Sequence, residues 1–351
     1  MDPMVPLRAA SGMLAVSAGL LATSLPATLQ AQSTSPILIT GSSTVGPITN
    51  LAIQGFRSTA TGQKVRFAPV IESGTSAGFR DFCSAKTPIT NASRPISRQE
   101  LKRCADQGIQ FFELPIAFDA ITVVVNPANT WAKNISVSEL KRLWSSSAQG
   151  KVKRWNQVSL DWPQKPVVLY GPGKDSGTFD TFNQAINGNK RDSRTDYISS
   201  ENDNELVQGV SSNPNALGYF GYAYYAANRS KLRALPVEGP KGLVMPSVQS
   251  VQNGTYLPLS RPIFIYVNAK SLKQSAPLRA FVQYYLDNAT QLVEKEGSIP
   301  LTKAQYLVVK SKLLKQVQGT AFDGQIPVGL TISELLNRNI DQTIKRPEFH
   351  Q

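Results

Sequence analysis

The stretch Pro36-Ile37-Leu38-Ile39-Thr40-Gly41-Ser42-Ser43-Thr44-Val45 decides the fold of this chain. Its first half is a short β-branched, apolar run typical of a buried strand, and Gly41–Thr44 has the composition of a tight turn. Apolar residues then recur at the spacing of one helix face, at Val45, Ile48, Ala52 and Phe56. Similar short apolar runs alternate with helical patterns along the whole chain, which predicts an α/β fold.

Further elements follow from the same patterns. Residues 64–71 and 216–225 are predicted strands, and residues 277–291 a predicted helix. Ser97–Glu100 and Ser136–Glu139 have the pattern of a capping box, which predicts a helix start at each. The spacing of Phe179, Phe182 and Ile186 predicts the apolar face of another helix.

The order of strand, Gly/Ser/Thr turn and helix start occurs twice more, at Ser73–Gly78 and at Asp175–Thr178. Each junction leaves the first N–H groups of a helix without intrahelical acceptors and carries a partial positive charge. Hydroxyl groups add further donors, and glycine allows close approach to the backbone. One such junction is best explained as an ordinary helix cap, but three together favour an oxyanion-binding site. The spacings of a P-loop and of a dinucleotide-binding loop are absent, which argues against nucleotide binding.

Residue counts narrow the possible chemistry. The 351 residues include 37 Lys and Arg against 24 Asp and Glu, a net charge of 37 − 24 = +13, which favours an anionic partner such as nucleic acid, a membrane surface or a small anion. The single histidine, His350, is next to last, and this argues against Ser-His-Asp triads and His-rich zinc sites. We therefore expect no metal, no cofactor and no catalytic residue, and the length predicts two domains.

Residues 1–31 have the pattern of a secretory signal peptide. Arg8 precedes the apolar run Met13–Ala22, and small residues end at Ala31. The alternative, a membrane-spanning helix, needs about 20 apolar residues, whereas this run contains Ser and Gly and is followed by Pro26. No cysteine follows the run, so we expect a periplasmic protein without a lipid anchor.

Export also bears on the two cysteines, Cys83 and Cys104. An oxidising compartment allows them to form a disulfide, and two buried free thiols are the alternative. They are too few for a zinc cluster.

A set of motifs in fixed order carries a family resemblance. These motifs are Gly-Ser-Ser-Thr-Val at 41–45, Gly-Thr-Ser-Ala-Gly at 74–78, Asn-Ala-Ser-Arg-Pro-Ile at 91–96, Gly-Pro-Gly-Lys-Asp-Ser-Gly-Thr-Phe at 171–179 and Gly-Tyr-Phe-Gly-Tyr-Ala-Tyr-Tyr at 218–225. The set closely resembles the periplasmic phosphate-binding proteins of ABC phosphate importers, over nearly all of the mature chain. The resemblance implies a type II periplasmic binding-protein fold, in which two α/β lobes close on the anion in a cleft between them.

The resemblance also implies the domain limits and the binding residues. Lobe 1 would comprise residues 32–126 and 240–351, and lobe 2 residues 127–239. Matched motif by motif, the phosphate-binding residues would be Thr44 with the Val45 amide, Thr75, Ser176, Gly177 and Thr178, with Ser43 and Ser76 as neighbours within reach. Cys83 and Cys104 lie where one branch of the family has a cysteine pair, which implies a disulfide.

This chain departs from the family pattern at two positions. Many members have, in the loop that reads Asn91–Arg94 here, an Asp that accepts the proton of hydrogen phosphate and so rejects sulfate. Many also have an Arg where this chain has Pro172. We expect Arg94 to supply the missing positive charge, with Lys174 as a weaker candidate and a surface salt bridge as the alternative role of Arg94. The candidate proton acceptors are Asp175 (which could instead be a helix cap), Glu72 and Asp119.

The predicted function is high-affinity binding of inorganic phosphate and its delivery to an ABC permease of the inner membrane, by a monomer that is not an enzyme and does not bind nucleic acid. Three alternatives remain open. The chain could be a receptor for sulfate or molybdate, a phosphoesterase with a Ser or Thr nucleophile, or a basic protein that binds an anionic polymer. The phosphoesterase lacks an evident activating base or metal cluster.

Overall fold

The structure, a computed structural model, describes residues 35–345, and of residues 343–345 only the backbone. The predicted signal peptide, residues 1–31, and His350 lie outside these residues. In this part of the chain the strands are β1 (Ile39–Gly41), β2 (Ile89–Ala92), β3 (Phe111–Val125), β4 (Ile135–Ser136), β5 (Val168–Pro172), β6 (Ile198–Ser200), β7 (Ala216–Gly221), β8 (Arg233–Ala234), β9 (Val237–Gly239), β10 (Gly242–Val244), β11 (Ser260–Asn268) and β12 (Ile299–Pro300).

The helices of the same residues are α1 (Gly46–Arg57), α2 (Thr75–Cys83), α3 (Arg98–Asp106), α4 (Val137–Trp144), α5 (Gly177–Asn187), α6 (Asp203–Ser212), α7 (Tyr222–Ala227), α8 (Val248–Gln252), α9 (Ala269–Gln274), α10 (Ala276–Asp287), α11 (Ala289–Glu296), α12 (Lys303–Leu314) and α13 (Ile332–Lys345). Among the described residues, none of these helices is long and apolar enough to cross a membrane.

One long strand, β3, joins two groups of strands. Its residues 111–120 pair antiparallel with β11, and its residues 121–125 pair antiparallel with β7. The strand order is β1-β2-β11-β3-β7-β5-β6. We call β1, β2, β11 and the first part of β3 the first half-sheet, and the second part of β3 with β7, β5 and β6 the second half-sheet. All 15 residues of β3 are buried, so this strand lies inside the molecule where the two half-sheets meet.

The predicted helix starts form for the expected local reasons. Ser97 and Ser136 each make a capping box with the glutamate three residues later, Glu100 and Glu139. The apolar face predicted for α1 is buried at Ile48, Ala52 and Phe56, and that of α5 at Phe179, Phe182 and Ile186. Burial of each Ile or Phe side chain among these stabilises the fold by about 1.5–3 kcal/mol.

Three sequence predictions of elements are corrected. Residues 64–71 were expected to form a strand, but Lys64 ends a short 3-10 helix and the rest make only isolated bridges at Phe67 and Ile71, because Pro69 between them has no N–H to donate. The strand expected at 216–225 ends at Gly221, after which α7 begins. The helix expected at 277–291 is two helices, α10 and α11, that meet at Asn288. The lobe limits stay a prediction.

Candidate anion-binding site

The first junction lies between β1 and α1. Ser43, Thr44 and Val45 are all buried here. The Val45 amide donates to the Ser42 carbonyl at 3.2 Å, and the Ser43 hydroxyl donates to Asp203 Oδ2 at 3.1 Å. Thr44 Oγ1 lies 3.4 Å from Thr178 Oγ1 of the third junction. Both hydroxyls of this turn therefore face the second half of the molecule, and that of Thr44 is the one that lies beside the third junction.

The second junction begins α2. Gly74 precedes the helix with a φ of 86°, in the region where glycine is favoured. Thr75 Oγ1 lies 3.2 Å from Ser93 Oγ and accepts from the Ser93 amide at 3.1 Å. The Ser76 amide donates to the Asp175 carbonyl at 2.8 Å. This backbone contact joins the second and third junctions directly.

The third junction begins α5. Ser176 is the N-cap residue, and its hydroxyl accepts from the Thr178 amide at 3.0 Å. Gly177 packs so closely against the second junction that a Cβ atom here would lie 2.7 Å from Thr75 Oγ1 and 2.6 Å from Ser93 Oγ. Only glycine fits at this position without a shift of its neighbours.

The structure thus brings the three predicted junctions together, although α1 follows β1 of the first half-sheet, α2 packs against β1 and β2, and α5 follows β5 of the second half-sheet. Hydroxyl groups of Thr44, Thr75 and Thr178 are buried at this meeting point. Three helix N-termini that converge provide partial positive charge and donors to one small volume, which suits a compact oxyanion.

Arg94 is brought to the site but is fully engaged with protein groups. Its side chain is 1% exposed, and its five N–H donors all point to protein acceptors. These acceptors are Asp180 Oδ2 for Nε, the Pro95 carbonyl and Glu100 Oε2 for Nη1, and Ser76 Oγ and Glu100 Oε1 for Nη2. The expected surface salt bridge is wrong as an alternative, because this cluster of one cation and two carboxylates is buried.

The three expected proton acceptors differ in their surroundings. Asp175 forms a bidentate pair with Arg80 at 2.7 and 2.8 Å, which holds the pKa of the Asp175 carboxyl below its usual value. Asp119 accepts from the Tyr222 amide with Oδ1 and from Arg261 with Oδ2. Burial raises the pKa of Glu72, which lies against the start of α1. Lys174, the weaker candidate cation, lies in the turn before α5.

Sequence reasoning missed Arg261, a charged residue within the buried strand β11. Its side chain is 2% exposed. Nε and Nη2 donate to Asp119 Oδ2 at 3.1 and 2.7 Å, and Nη2 also donates to Thr178 Oγ1 at 2.8 Å. Nη1 is buried and has no hydrogen-bond partner within the described residues. The available signal was a basic residue two positions before the apolar run 263–267.

Asp203 was also missed. It is the first residue of α6, is 2% exposed and accepts the hydrogen bond from Ser43. Burial raises the pKa of its carboxyl to about 7, although the hydrogen bond from Ser43 acts in the opposite direction. No sequence motif pointed to it.

The expected disulfide between Cys83 and Cys104 is present, and it joins the end of α2 to α3. The alternative of two free thiols is wrong. The bond anchors the helix whose start forms the second junction.

Comparison with known proteins agrees with this geometry. The sequence profile of the family described as "PBP superfamily domain" matches residues 26–289, which is most of the chain. The chain belongs to this family. Protein SphX from Synechocystis sp. is 46% identical over 323 residues, covering 92% of this chain and 95% of that protein. The phosphate-binding protein PstS of Staphylococcus saprophyticus is 35% identical, covering 78% of this chain and 82% of that protein.

Solved structures support the same family. The structure of a possible phosphate binding protein from Planctomyces limnophilus is 39% identical, with a TM-score of 0.60, covering 80% of this chain and 98% of that one. The structure of a putative phosphate ABC transporter substrate-binding protein from Clostridium perfringens is 23% identical, with a TM-score of 0.64, covering 76% of this chain and 100% of that one. At this identity it supports the fold alone. The family resemblance, the type II binding-protein fold and the expectation of a binding protein rather than an enzyme are confirmed.

Proposed function

We propose that this chain binds inorganic phosphate where its three helix starts meet. The observation that carries the proposal is the convergence of Thr44, Thr75 and Thr178 at buried contacts between the two halves of the molecule. Support comes from relatives that are named phosphate-binding proteins, including one that is 35% identical. The chain offers an anion a set of oriented donors and performs no chemistry on it.

In this proposal the ligands are the hydroxyls of Thr44, Thr75, Ser176 and Thr178 and the amide of Gly177. The Val45 amide and the Ser43 hydroxyl already donate to protein acceptors, so they support the turns. The Ser76 hydroxyl accepts from Arg94 and keeps its own proton to donate to the anion. Arg94 likewise holds the junctions together through Ser76 and Asp180. Micromolar binding requires about 8 kcal/mol, which several hydrogen bonds to a charged ligand in a cleft shielded from water can supply.

Transport follows from closure of the two lobes. Lobe 1 (residues 32–126 and 240–351) and lobe 2 (residues 127–239) would separate to admit phosphate and close on it. An ABC permease of the inner membrane would then recognise the closed monomer in the periplasm and accept the anion. Added to membrane vesicles that contain the permease, the loaded protein should stimulate ATP hydrolysis, whereas the same protein without phosphate should not.

Isothermal titration with phosphate, arsenate, sulfate and molybdate tests the ligand. We expect saturable binding of phosphate at micromolar concentration or below, and at least tenfold weaker binding of sulfate. If sulfate or molybdate gives saturable heat and phosphate gives none, the proposed ligand would be wrong, whereas the fold would be unaffected. Repeating the titration with E72Q tests the remaining expected proton acceptor, because the oxygens of Asp119 already accept protein hydrogen bonds and Asp175 is paired with Arg80.

A further inference from the structure

Arg261 differs from every cation that the sequence motifs supplied. It lies on β11, directly opposite Asp119 of β3 in the antiparallel register, 142 residues away in the chain. Both strands run through the region where the half-sheets meet. The ion pair between them is buried, with the two side chains 2% and 1% exposed. Its position is therefore set by the sheet and not by a loop.

The planar guanidinium group has two usable edges. The edge formed by Nε and Nη2 faces Asp119 Oδ2. The second N–H of Nη2 donates to Thr178 Oγ1, so the edge formed by Nη1 and Nη2 is directed towards the start of α5. Thr178 Oγ1 is in turn 3.4 Å from Thr44 Oγ1. The unused Nη1 donors therefore belong to the edge that faces the convergence of the helix starts.

Buried donors without a partner are rare in native proteins because each costs free energy. Arg94, which donates to Ser76 of the second junction, shows that this fold can satisfy all five donors of a buried arginine. Arg261 Nη1 is left without a partner among the described residues. A donor that is held rigidly and left unpaired beside hydroxyl groups is what an oxyanion ligand requires.

We propose that Arg261 is the cationic ligand of the bound anion, donating from Nη1 while Asp119 holds the guanidinium in place. This inference rests on the proposed phosphate site and adds its charged ligand. Asp119 is then a positioning residue and not a proton acceptor, because its two oxygens are used by Arg261 and by the Tyr222 amide. The site takes its positive charge from β11, which pairs with the long strand β3, in place of the arginine that the sequence motif lacks at Pro172.

Isothermal titration of inorganic phosphate into the purified protein tests this role. We expect R261Q to bind ~100-fold more weakly, because about two charge-assisted hydrogen bonds are lost. R261K should recover part of the affinity, since it keeps the charge but not the planar fork. R279Q removes an exposed arginine of α10 and should bind as the wild type does.

The outcomes separate the two proposals. If the wild type binds no phosphate, the proposed function fails and this inference fails with it. If the wild type binds and folded R261Q binds equally tightly, only the role of Arg261 is overturned. Because R261Q leaves Asp119 buried without its partner, circular dichroism should accompany each titration. The double variant R261Q/D119N leaves neither charge buried, and it should show the same ~100-fold loss. Wild-type affinity in that folded variant would also overturn the role.

Discussion

The loop Ser93–Ile96, which follows β2, and the strand Ser260–Asn268 each bring a buried arginine to the place where the helix starts meet. Arg94 of the loop gives all five donors to protein acceptors, two of them carboxylates. Arg261 of the strand gives three hydrogen bonds to Asp119 and Thr178, and its Nη1 has no partner among the described residues. All hydrogen-bond donors of Arg94 are thus used within the protein, whereas Arg261 keeps donors that are not.

This difference distinguishes a residue that stabilises the structure from one that can bind a ligand. Arg94 connects Ser76 and Glu100 on one side with Asp180 of α5 on the other, so it ties the two halves of the molecule together. A cation whose charge is already exceeded by two neighbouring carboxylates attracts a further anion weakly. Arg261 is balanced by one carboxylate and keeps donors free. The comparison therefore predicts that loss of Arg94 lowers stability, whereas loss of Arg261 lowers affinity.

The largest expected effect follows from R94Q. It leaves Glu100 and Asp180 buried without their cation, and removal of one partner from a buried ion pair costs about 3–5 kcal/mol. Urea unfolding of R94Q should show a loss of that size, with K241Q, at an exposed lysine between β9 and β10, within about 0.5 kcal/mol of the wild type. If R94Q instead shows a small loss of stability and a ~100-fold loss of phosphate affinity, Arg94 is a ligand of the anion, and the difference drawn between the two arginines is wrong.

The sequence predicted one of these two arginines for a physical reason. Local patterns reveal strands, turns and helix starts, so the junctions at 41–45, 73–78 and 175–178 were predictable. Arg94 was named because it lies inside a motif. Arg261 reaches the site only through the register between β3 and β11, which joins residues 142 apart, so the basic residue before an apolar run could be seen in the sequence but not its place in the site. Asp203 was missed for the same reason, since its partner Ser43 is 160 residues away.

The next effect concerns Asp203, whose folded pKa of about 7 is raised by burial. The folded state therefore holds this proton at pH values where the unfolded state, with an Asp pKa of about 4, has lost it. Stability from this group is present below pH ~4 and is lost as pH rises through 7. Between pH 5 and pH 8, the free energy of unfolding of the wild type should fall relative to that of D203N by at least ~1.4 kcal/mol.

Urea unfolding at both pH values measures this difference, and comparison with D203N cancels the titration of the other carboxyls. The groups that act on Asp203 are Ser43, Arg261, Asp119 and Glu72. If the free energy of unfolding changes by the same amount between the two pH values in both proteins, Asp203 is ionised at both. In that case the contact with Ser43 would contain a permanent charge close to Arg261, and the charge balance assigned to Arg261 would change.

A smaller effect is expected for T44V, which keeps the shape of the side chain and removes its hydroxyl. Loss of one hydrogen bond to the anion should weaken phosphate binding ~5–10-fold, equivalent to about 1 kcal/mol. T61V, at an exposed threonine whose side chain caps no helix, is the control and should bind normally. If T44V binds as tightly as the wild type, the first junction does not contact the ligand and Arg261 would act with the second and third junctions alone.

The smallest effect concerns the pair formed by Arg80 and Asp175, which lies at the edge of the junctions and is exposed by 49% and 39%. Exposed ion pairs contribute about 0.2–1 kcal/mol and are screened by salt. D175N should therefore release phosphate only ~2–5-fold faster than the wild type at low salt, with the difference lost at 1 M NaCl. D106N, which removes the carboxylate of an exposed ion pair with Lys102 on α3, is the control. Because the Asp175 carbonyl still accepts from Ser76 in D175N, a much larger effect would mean that the carboxylate itself acts on the anion, and the charge of the site would then be shared between this edge and Arg261.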